Sequence, residues 1–293
     1  MTQITLLDGG MGQELVHRSG DAPTPLWATQ VMLDHPGLVA NIHRDYFDAG
    51  ATIATTNTYA IHRDRLAGTG FENKFEDFIT AALSEAEQSA AGRGRIAGSI
   101  GPLVASYRPE AHPAVEDAVP LYHEIVGLLA PSVDLILFET VASLTHAQSC
   151  LAAAQLVGVP VWLSVTVDDE DGSLLRSGEN VSDLCAIAGG ADALLANCSA
   201  PEAMEAALAA LKTCGKPFGA YANGFTQITK DFLKDKPTVD ALHSRDISPQ
   251  AYADFALRWV EIGATIVGGC CEVGPPHIAE LARALMAAGH DIV

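Results

Sequence analysis

Eight short apolar runs recur along the chain, and helix-length amphipathic stretches fall between them. The runs are "ITLLD" (4–8), "ATIATTNTY" (51–59), "RIAGSIGP" (95–102), "VDLILFET" (133–140), "PVWLSVT" (160–166), "ADALLANCS" (191–199), "PFGAYAN" (217–223) and "ATIVGGCC" (264–271). They are β-branched and apolar with little polar alternation, the pattern of parallel strands covered on both faces. The stretches between include "FEDFITAALSEAEQSA", "SLTHAQSCLAAAQLVG", "PEAMEAALAALKTCG" and "SPQAYADFALRWVEIG", and several begin with Ser or Pro and stop at Gly. Eight βα units predict an α/β fold, a single (β/α)8 TIM barrel forming one domain over residues 1–293. An open doubly wound sheet is the alternative topology. The longest stretch without a clear element, residues 224–247, follows the seventh run and would lie over the barrel mouth.

Composition narrows the function classes. Lys and Arg number 17 against 36 Asp and Glu, a net charge of −19 that repels nucleic acid and anionic membranes. No apolar run reaches the roughly 18 residues of a membrane span. The N-terminal segment lacks the basic flank of a secretory signal, so a cytoplasmic monomer or small homo-oligomer is expected. The six cysteines are irregularly spaced, which favours reduced thiols. Cys150, Cys185 and Cys214 fall on helical stretches and read as packing residues.

In a barrel of this kind the C-terminal ends of the strands face the active site. Asp8, Asn57, Ser99, Glu139, Thr166, Asn197, Cys198, Asn223, Cys270 and Cys271 should therefore converge. Two carboxylates, Asp8 and Glu139, are out of place in runs so apolar. Cys198, Cys270 and Cys271 end the sixth and eighth runs. Three thiolates at one point form a soft ligand set that suits Zn²⁺ with a fourth position open. The bland alternative is three buried apolar thiols. Gly268 and Gly269 imply close backbone approach before the twin cysteines, and "DGGMG" (8–12) implies the same beside Asp8. His277 in "GPPHI" reads as a first-turn residue of the last helix.

"LLDGGMGQEL", "TTNTYA", "GSIGP", "FETV", "ANCS" and "GGCCEVGPPHI" occur in the order seen in the homocysteine S-methyltransferase family, which the chain resembles from about residue 4 to residue 287. The pairing of "NC" with a later "GGCC" is the specific part. The resemblance implies a zinc-dependent barrel that methylates homocysteine to methionine. It implies Cys198, Cys270 and Cys271 as zinc ligands, and Asp8 and Glu139 as holders of the homocysteine amino group. Gly9 and Gly10 would lie beside the bound amino acid, Asn197 would set the loop around Cys198, and Tyr59 would border the donor side. "YANGF" (221–225) and "EVGPP" (272–276) depart from the "YPNSG" and "RTTP"-like stretches of many members.

The thiolate is the nucleophilic form of sulfur, and a coordinating metal deprotonates a thiol outright. The methyl donor is therefore expected to be a small cationic onium compound, and aromatic faces attract such cations. Tyr59, Tyr107, Trp27, Trp162 and Tyr221 are the candidates. Resemblance to the short family members favours a sulfonium, S-methylmethionine or S-adenosylmethionine. Betaine or dimethylsulfoniopropionate is the alternative donor, and a zinc-dependent hydrolase on the same barrel is the alternative enzyme.

Overall fold

The computed structural model describes residues 2–21, 26–225, 245 and 247–293. Nine parallel strands form one curled sheet: β1 (Gln3–Leu6), β2 (Ile53–Thr55), β3 (Arg95–Ile100), β4 (Leu135–Val141), β5 (Val161–Val165), β6 (Ala193–Asn197), β7 (Phe218–Ala222), β8 (Ile266–Gly269) and β9 (Asp291–Ile292). Their order is β2-β3-β4-β5-β6-β7-β8-β1-β9. The first eight strands match the eight apolar runs, with β1 beginning one residue before its run and β4 ending one residue after. The ninth was not expected. It pairs Gln3 with Asp291 and Ile4 with Ile292 and ends the sheet beside β1.

Strands β1 and β2 sit far apart in that order, yet they meet. Leu7 and Ile53 form a parallel bridge. The Thr52 N–H donates to Leu6 O at 2.7 Å, and the Asp8 N–H donates to Ile53 O at 3.2 Å.

Ten α-helices are described: α1 (Met11–Ser19), α2 (Trp27–Asp34), α3 (Leu38–Asp48), α4 (Arg63–Leu66), α5 (Phe75–Ala90), α6 (Val115–Leu129), α7 (Leu144–Ala153), α8 (Met204–Lys212), α9 (Pro249–Ile262) and α10 (Pro275–Ala287). Start signals act as read. Ser143 and Ser248 cap α7 and α9 by accepting from the N–H of His146 and Ala251, and Gly263 ends α9 in the left-handed region. His277 lies in the first turn of α10, where its Nδ1 accepts from the Gly274 N–H. Between β5 and β6 no α-helix forms. The polar "DDEDGSLLRSGEN" supplies turn chemistry, and two 3-10 segments, Val181–Ala186 and Ala188–Gly190, take the helix's place.

The core has two layers. Outward-facing strand residues such as Ile136, Phe138, Leu194 and Ala220 pack against the helices. A separate inner cluster takes one or two side chains from each of the eight strand segments: Leu7, Ile53, Ala97, Leu135, Leu137, Trp162, Ala193, Leu195, Tyr221 and Ile266. Trp162 is thus an inner packing residue and not part of a donor pocket. No helix among the described residues is long and apolar enough to cross a membrane.

The expectation of reduced thiols is corrected. Cys185 is exposed and Cys214 half-buried, and they form a disulfide with Cα atoms 4.7 Å apart. The 3-10 segment at 181–186 and the end of α8 bring them together, a contact between separate units that helical periodicity does not report. Cys150 is buried and free, as expected of a packing residue. Most of the stretch 224–247 lies outside the described residues.

Candidate active site

Alternation along the strands aims the site. In β4, Leu135 and Leu137 point into the inner cluster, so Glu139 is the next inward position at the strand's end. The same count carries β3 from Ala97 to Ser99, while Tyr221 of β7 stands in the inner cluster itself. These three meet. Ser99 Oγ donates to Glu139 Oε1, and the Tyr221 hydroxyl donates to Glu139 Oε2 at 3.2 Å. Burial raises the Glu139 carboxyl above its ordinary range, against the pull of those two bonds.

Asp8 follows inward Leu7 and is 2 % exposed. Its carboxylate accepts the Thr55 N–H at 2.7 Å and the Thr55 hydroxyl at 2.9 Å. Burial pushes it up to about 8, Thr55 opposes the shift, and the charge of Glu139 adds to it. The nearest imidazole, His43, stands 4.0 Å away. Burial pushes it down to about 3, so it is neutral and supplies no countercharge. Neither ring nitrogen of His43 has a hydrogen-bond partner among the described residues. Neither buried carboxyl has a charged cationic partner among the described residues, an arrangement suited to receiving one.

The three sulfurs converge. Ligand atoms of Cys198, Cys270 and Cys271 all lie within 4.8 Å of one another. The Cys198 and Cys270 sulfurs are in direct contact, with Cα atoms 5.9 Å apart, and the free Cys271 thiol stands beside them. The adjacent cysteines are not bonded to each other. The donor set fits Zn²⁺: tetrahedral thiolates with bonds of about 2.3 Å place their sulfurs roughly 3.8 Å apart.

Glycines make this convergence possible. A Cβ on Gly10 would lie 2.6 Å from Cys270 O and 3.2 Å from Cys271 Cα. One on Gly9 would strike Val273 O, and one on Gly269 would strike the Val273 side chain. The Gly10 N–H donates to Val273 O at 3.0 Å, and the Gly269 N–H donates to Asp8 O at 2.9 Å. "DGG" and "GGCC" are therefore two halves of one interlock: the glycines admit the cysteine turn as well as lining the cavity.

Behind Cys198 stands a polar frame. Cys198 (φ 49°) and Thr140 (φ 59°) both adopt the left-handed region, unusual for residues with a side chain and most so for β-branched Thr. The Asn197 amide holds the turn at Thr140. Its Oδ1 accepts from the Thr140 N–H at 2.9 Å and the Ser164 hydroxyl at 2.9 Å, and its Nδ2 donates to Thr140 Oγ1 at 3.2 Å. Asn197 is fully buried and does not line the cavity. On the other flank Thr166 Oγ1 donates to Cys198 O at 3.1 Å, and Arg176 Nε donates to Thr166 Oγ1 at 3.2 Å. Arg176 forms a two-pronged ion pair with Asp169 at 2.9 and 3.0 Å, and Asp169 also accepts the Ala200 N–H. Thr55, Ser164, Arg176 and Asp169 were not singled out from sequence. Thr55 and Ser164 are marked only by their position near strand ends, and Asp169 and Arg176 lie in the β5–β6 connection with no local signal.

Asp8, Gly9, Gly10, Glu139, Tyr59 and all three cysteines line one cavity of about 780 Å³. That is room for two small molecules. Trp27, Tyr107 and Tyr221 join Tyr59 in its wall. Trp27 and Tyr59 meet edge to face, with centroids 6.2 Å apart. Ser99 and Asn57 also reach the cavity; Asn223 and Thr166 do not.

Known proteins share this arrangement of the chain. The family model described as "Homocysteine S-methyltransferase" matches residues 5–285. The homocysteine S-methyltransferase of Escherichia coli (strain K12) is 29% identical, with 95% of this chain and 94% of that protein covered. A selenocysteine methyltransferase of Astragalus bisulcatus is 26% identical, covering 97% and 93%. The crystal structure of the metallated form of the E. coli homocysteine methyltransferase MmuM superposes with a TM-score of 0.80 at 26% identity, covering 96% of each chain. A match over nearly the whole length, on a chain that gathers the "NC" and "GGCC" cysteines at one cavity, shows that this protein belongs to the homocysteine S-methyltransferase family.

Proposed function

We propose that this protein transfers a methyl group from a small onium donor to homocysteine, giving methionine, on a closed single-domain (β/α)8 barrel whose three cysteines hold Zn²⁺. The observation that carries the reading is the convergence of Cys198, Cys270 and Cys271 within 4.8 Å, in the same cavity as the buried carboxyls Asp8 and Glu139. Closure is supported by the Leu7–Ile53 bridge and by an inner cluster fed by all eight strand segments.

When bound, Zn²⁺ supplies acidity that keeps a substrate thiol deprotonated and nucleophilic at neutral pH. The residues of the chain do the rest. Asp8 and Glu139 receive the ammonium of homocysteine. Its charge returns both carboxyls to the ionised form that burial disfavours, and Thr55, Ser99 and Tyr221 orient them. Gly9 and Gly10 leave space for the amino-acid backbone beside Asp8. Trp27, Tyr59 and Tyr107 offer aromatic faces to the onium. The donor's bond to its methyl carbon breaks and the electron pair stays on the donor, which leaves neutral. A new bond forms between that carbon and the homocysteine sulfur, whose proton has gone to solvent. No general base is required. A sulfonium donor, S-methylmethionine or S-adenosylmethionine, is favoured over betaine.

The test is metal analysis and turnover on protein purified under reductant. About one zinc per chain is expected, with methionine formed from homocysteine and S-methylmethionine. Cys198→Ser, Cys270→Ser and Cys271→Ser should each lose both. Metal-free protein that still forms methionine at the same rate would refute the metal assignment.

A further inference from the structure

Arg65 is a cation in the cavity wall that no carboxylate of the described chain reaches. The contrast with its neighbours is plain. Arg63 pairs with Glu124 at 2.7 Å, Arg108 with Glu110 at 2.8 Å, and Arg176 with Asp169 at 2.9 Å. Of the arginines whose side chains line this cavity, Arg65 is the one with no ion pair among the described residues, in a chain with 36 acidic residues against 17 Lys and Arg. Even the adjacent Asp64 is engaged elsewhere, accepting the Val104 N–H.

Arg65 is nevertheless held in place. Its Nε and Nη2 donate to Pro102 O at 3.2 and 2.8 Å, and Nη2 also reaches Ser106 Oγ at 3.3 Å. The guanidinium carbon lies 5.9 Å from the centroid of the Tyr59 ring, and the Tyr59 hydroxyl is 2.8 Å from Ser106 Oγ. Nη1 makes no hydrogen bond among the described residues. A half-buried guanidinium fixed by neutral groups, with donor capacity left over, is preorganised for an anion that arrives with a ligand. The other polar groups of the cavity argue against homocysteine as that ligand's source. Its ammonium belongs with Asp8 and Glu139, on strands β1 and β4, whereas Arg65 stands on α4 beside the β3–α6 loop, next to the aromatic faces.

We infer that Arg65 is a specificity-determining residue that binds the carboxylate of the methyl donor, so that the donors accepted are zwitterionic oniums and not simple cations. The inference rests on the methyl-transfer reading above. It places the donor's positive centre towards Trp27 and Tyr107 and its carboxylate at Nη1 of Arg65. The bonds made and broken are those already given; Arg65 touches the donor but not the reacting atoms.

Two donors separate this role from a purely structural one: S-methylmethionine, which carries a carboxylate, and trimethylsulfonium, which does not. Arg65→Met should raise KM for S-methylmethionine about 10- to 100-fold, the range expected for one lost charge-assisted bond. KM for homocysteine should move less than about twofold, and the effect on trimethylsulfonium should be at least about tenfold smaller than on S-methylmethionine. Arg65→Lys should recover part of the loss. Equal losses with both donors, or an equal rise in KM for homocysteine, would overturn the assignment. If Arg65→Met does not fold, wild type offered the methyl ester of S-methylmethionine gives the same information: ester used as well as acid overturns the proposal. Calorimetric binding of S-methylmethionine and trimethylsulfonium to wild type and Arg65→Met reads the carboxylate contact without turnover. A wild type that forms no methionine would therefore sink the methyl-transfer reading, while Arg65 would still be judged by binding.

Discussion

Asp8→Asn tests the electrostatic core of the site without any substrate. In the folded chain burial pushes the Asp8 carboxyl up to about 8 from an ordinary 3.8. Between those two values the folded protein holds a proton that the unfolded chain has released. The folded state binds more protons there, so stability falls as pH rises. The slope from one such group is about 1.4 kcal/mol per pH unit. Over two pH units, from about 5.5 to 7.5, wild type should lose about 2.7 kcal/mol on account of Asp8 alone. Neutral His43 supplies no countercharge to Asp8, because burial holds its proton affinity down at about 3, and its own titration is common to wild type and variant and cancels in the comparison. Asparagine has nothing to titrate and still offers an oxygen to the Thr55 N–H. Urea unfolding of wild type and Asp8→Asn, without substrate and at several pH values across this window, should therefore diverge: the variant gains on wild type as pH rises, and the gap closes towards pH 4. Parallel pH profiles, or a variant that falls behind wild type as pH rises, would show that Asp8 is ionised and compensated in the folded chain.

Two further outcomes follow from the frame around the cysteines. Gly10→Ala sets a methyl 2.6 Å from Cys270 O, so the twin-cysteine turn must shift; the purified variant should keep its far-ultraviolet circular dichroism yet bind less than half the zinc of wild type, and full loading would refute the interlock. Arg176→Met removes the two-pronged ion pair from the half-buried Asp169, which keeps the Ala200 N–H; losing such charge-assisted bonds costs about 2 kcal/mol, read as a melting point lower by about 4 °C, and an unchanged melting point would mean the pair contributes nothing.

The sequence carries this site to the extent that the site is local. The strand-end rule is enough to pick Glu139 out of "VDLILFET", and the structure adds that Leu135 and Leu137 are the inward positions leading to it. The same reasoning puts Ser99 beside it, and the strand-end rule gathers three cysteines that lie up to 73 positions apart in sequence. Features made by contact between distant segments were not legible. Nothing in "DIV" announces that Asp291 and Ile292 pair with β1. Nothing near Cys185 points to Cys214, because each lies in a stretch whose own pattern accounts for it. Trp162 looked like a donor-site aromatic on composition, but it occupies an inward position one layer below the mouth, where packing claims it. Asn197 is expected to set the loop around Cys198; its amide bonds instead to Thr140 and Ser164, across to β4 and β5, with no face on the cavity.

That buried amide has an evolutionary corollary. The same few atoms of Asn197 brace the kink after Glu139 and precede the kink at Cys198. On the proposed function, a mutation there would disturb the turn beside Glu139 and the turn at Cys198 together, and neither loss could be repaired alone. Positions 140 and 197 should therefore drift only as a pair, or not at all.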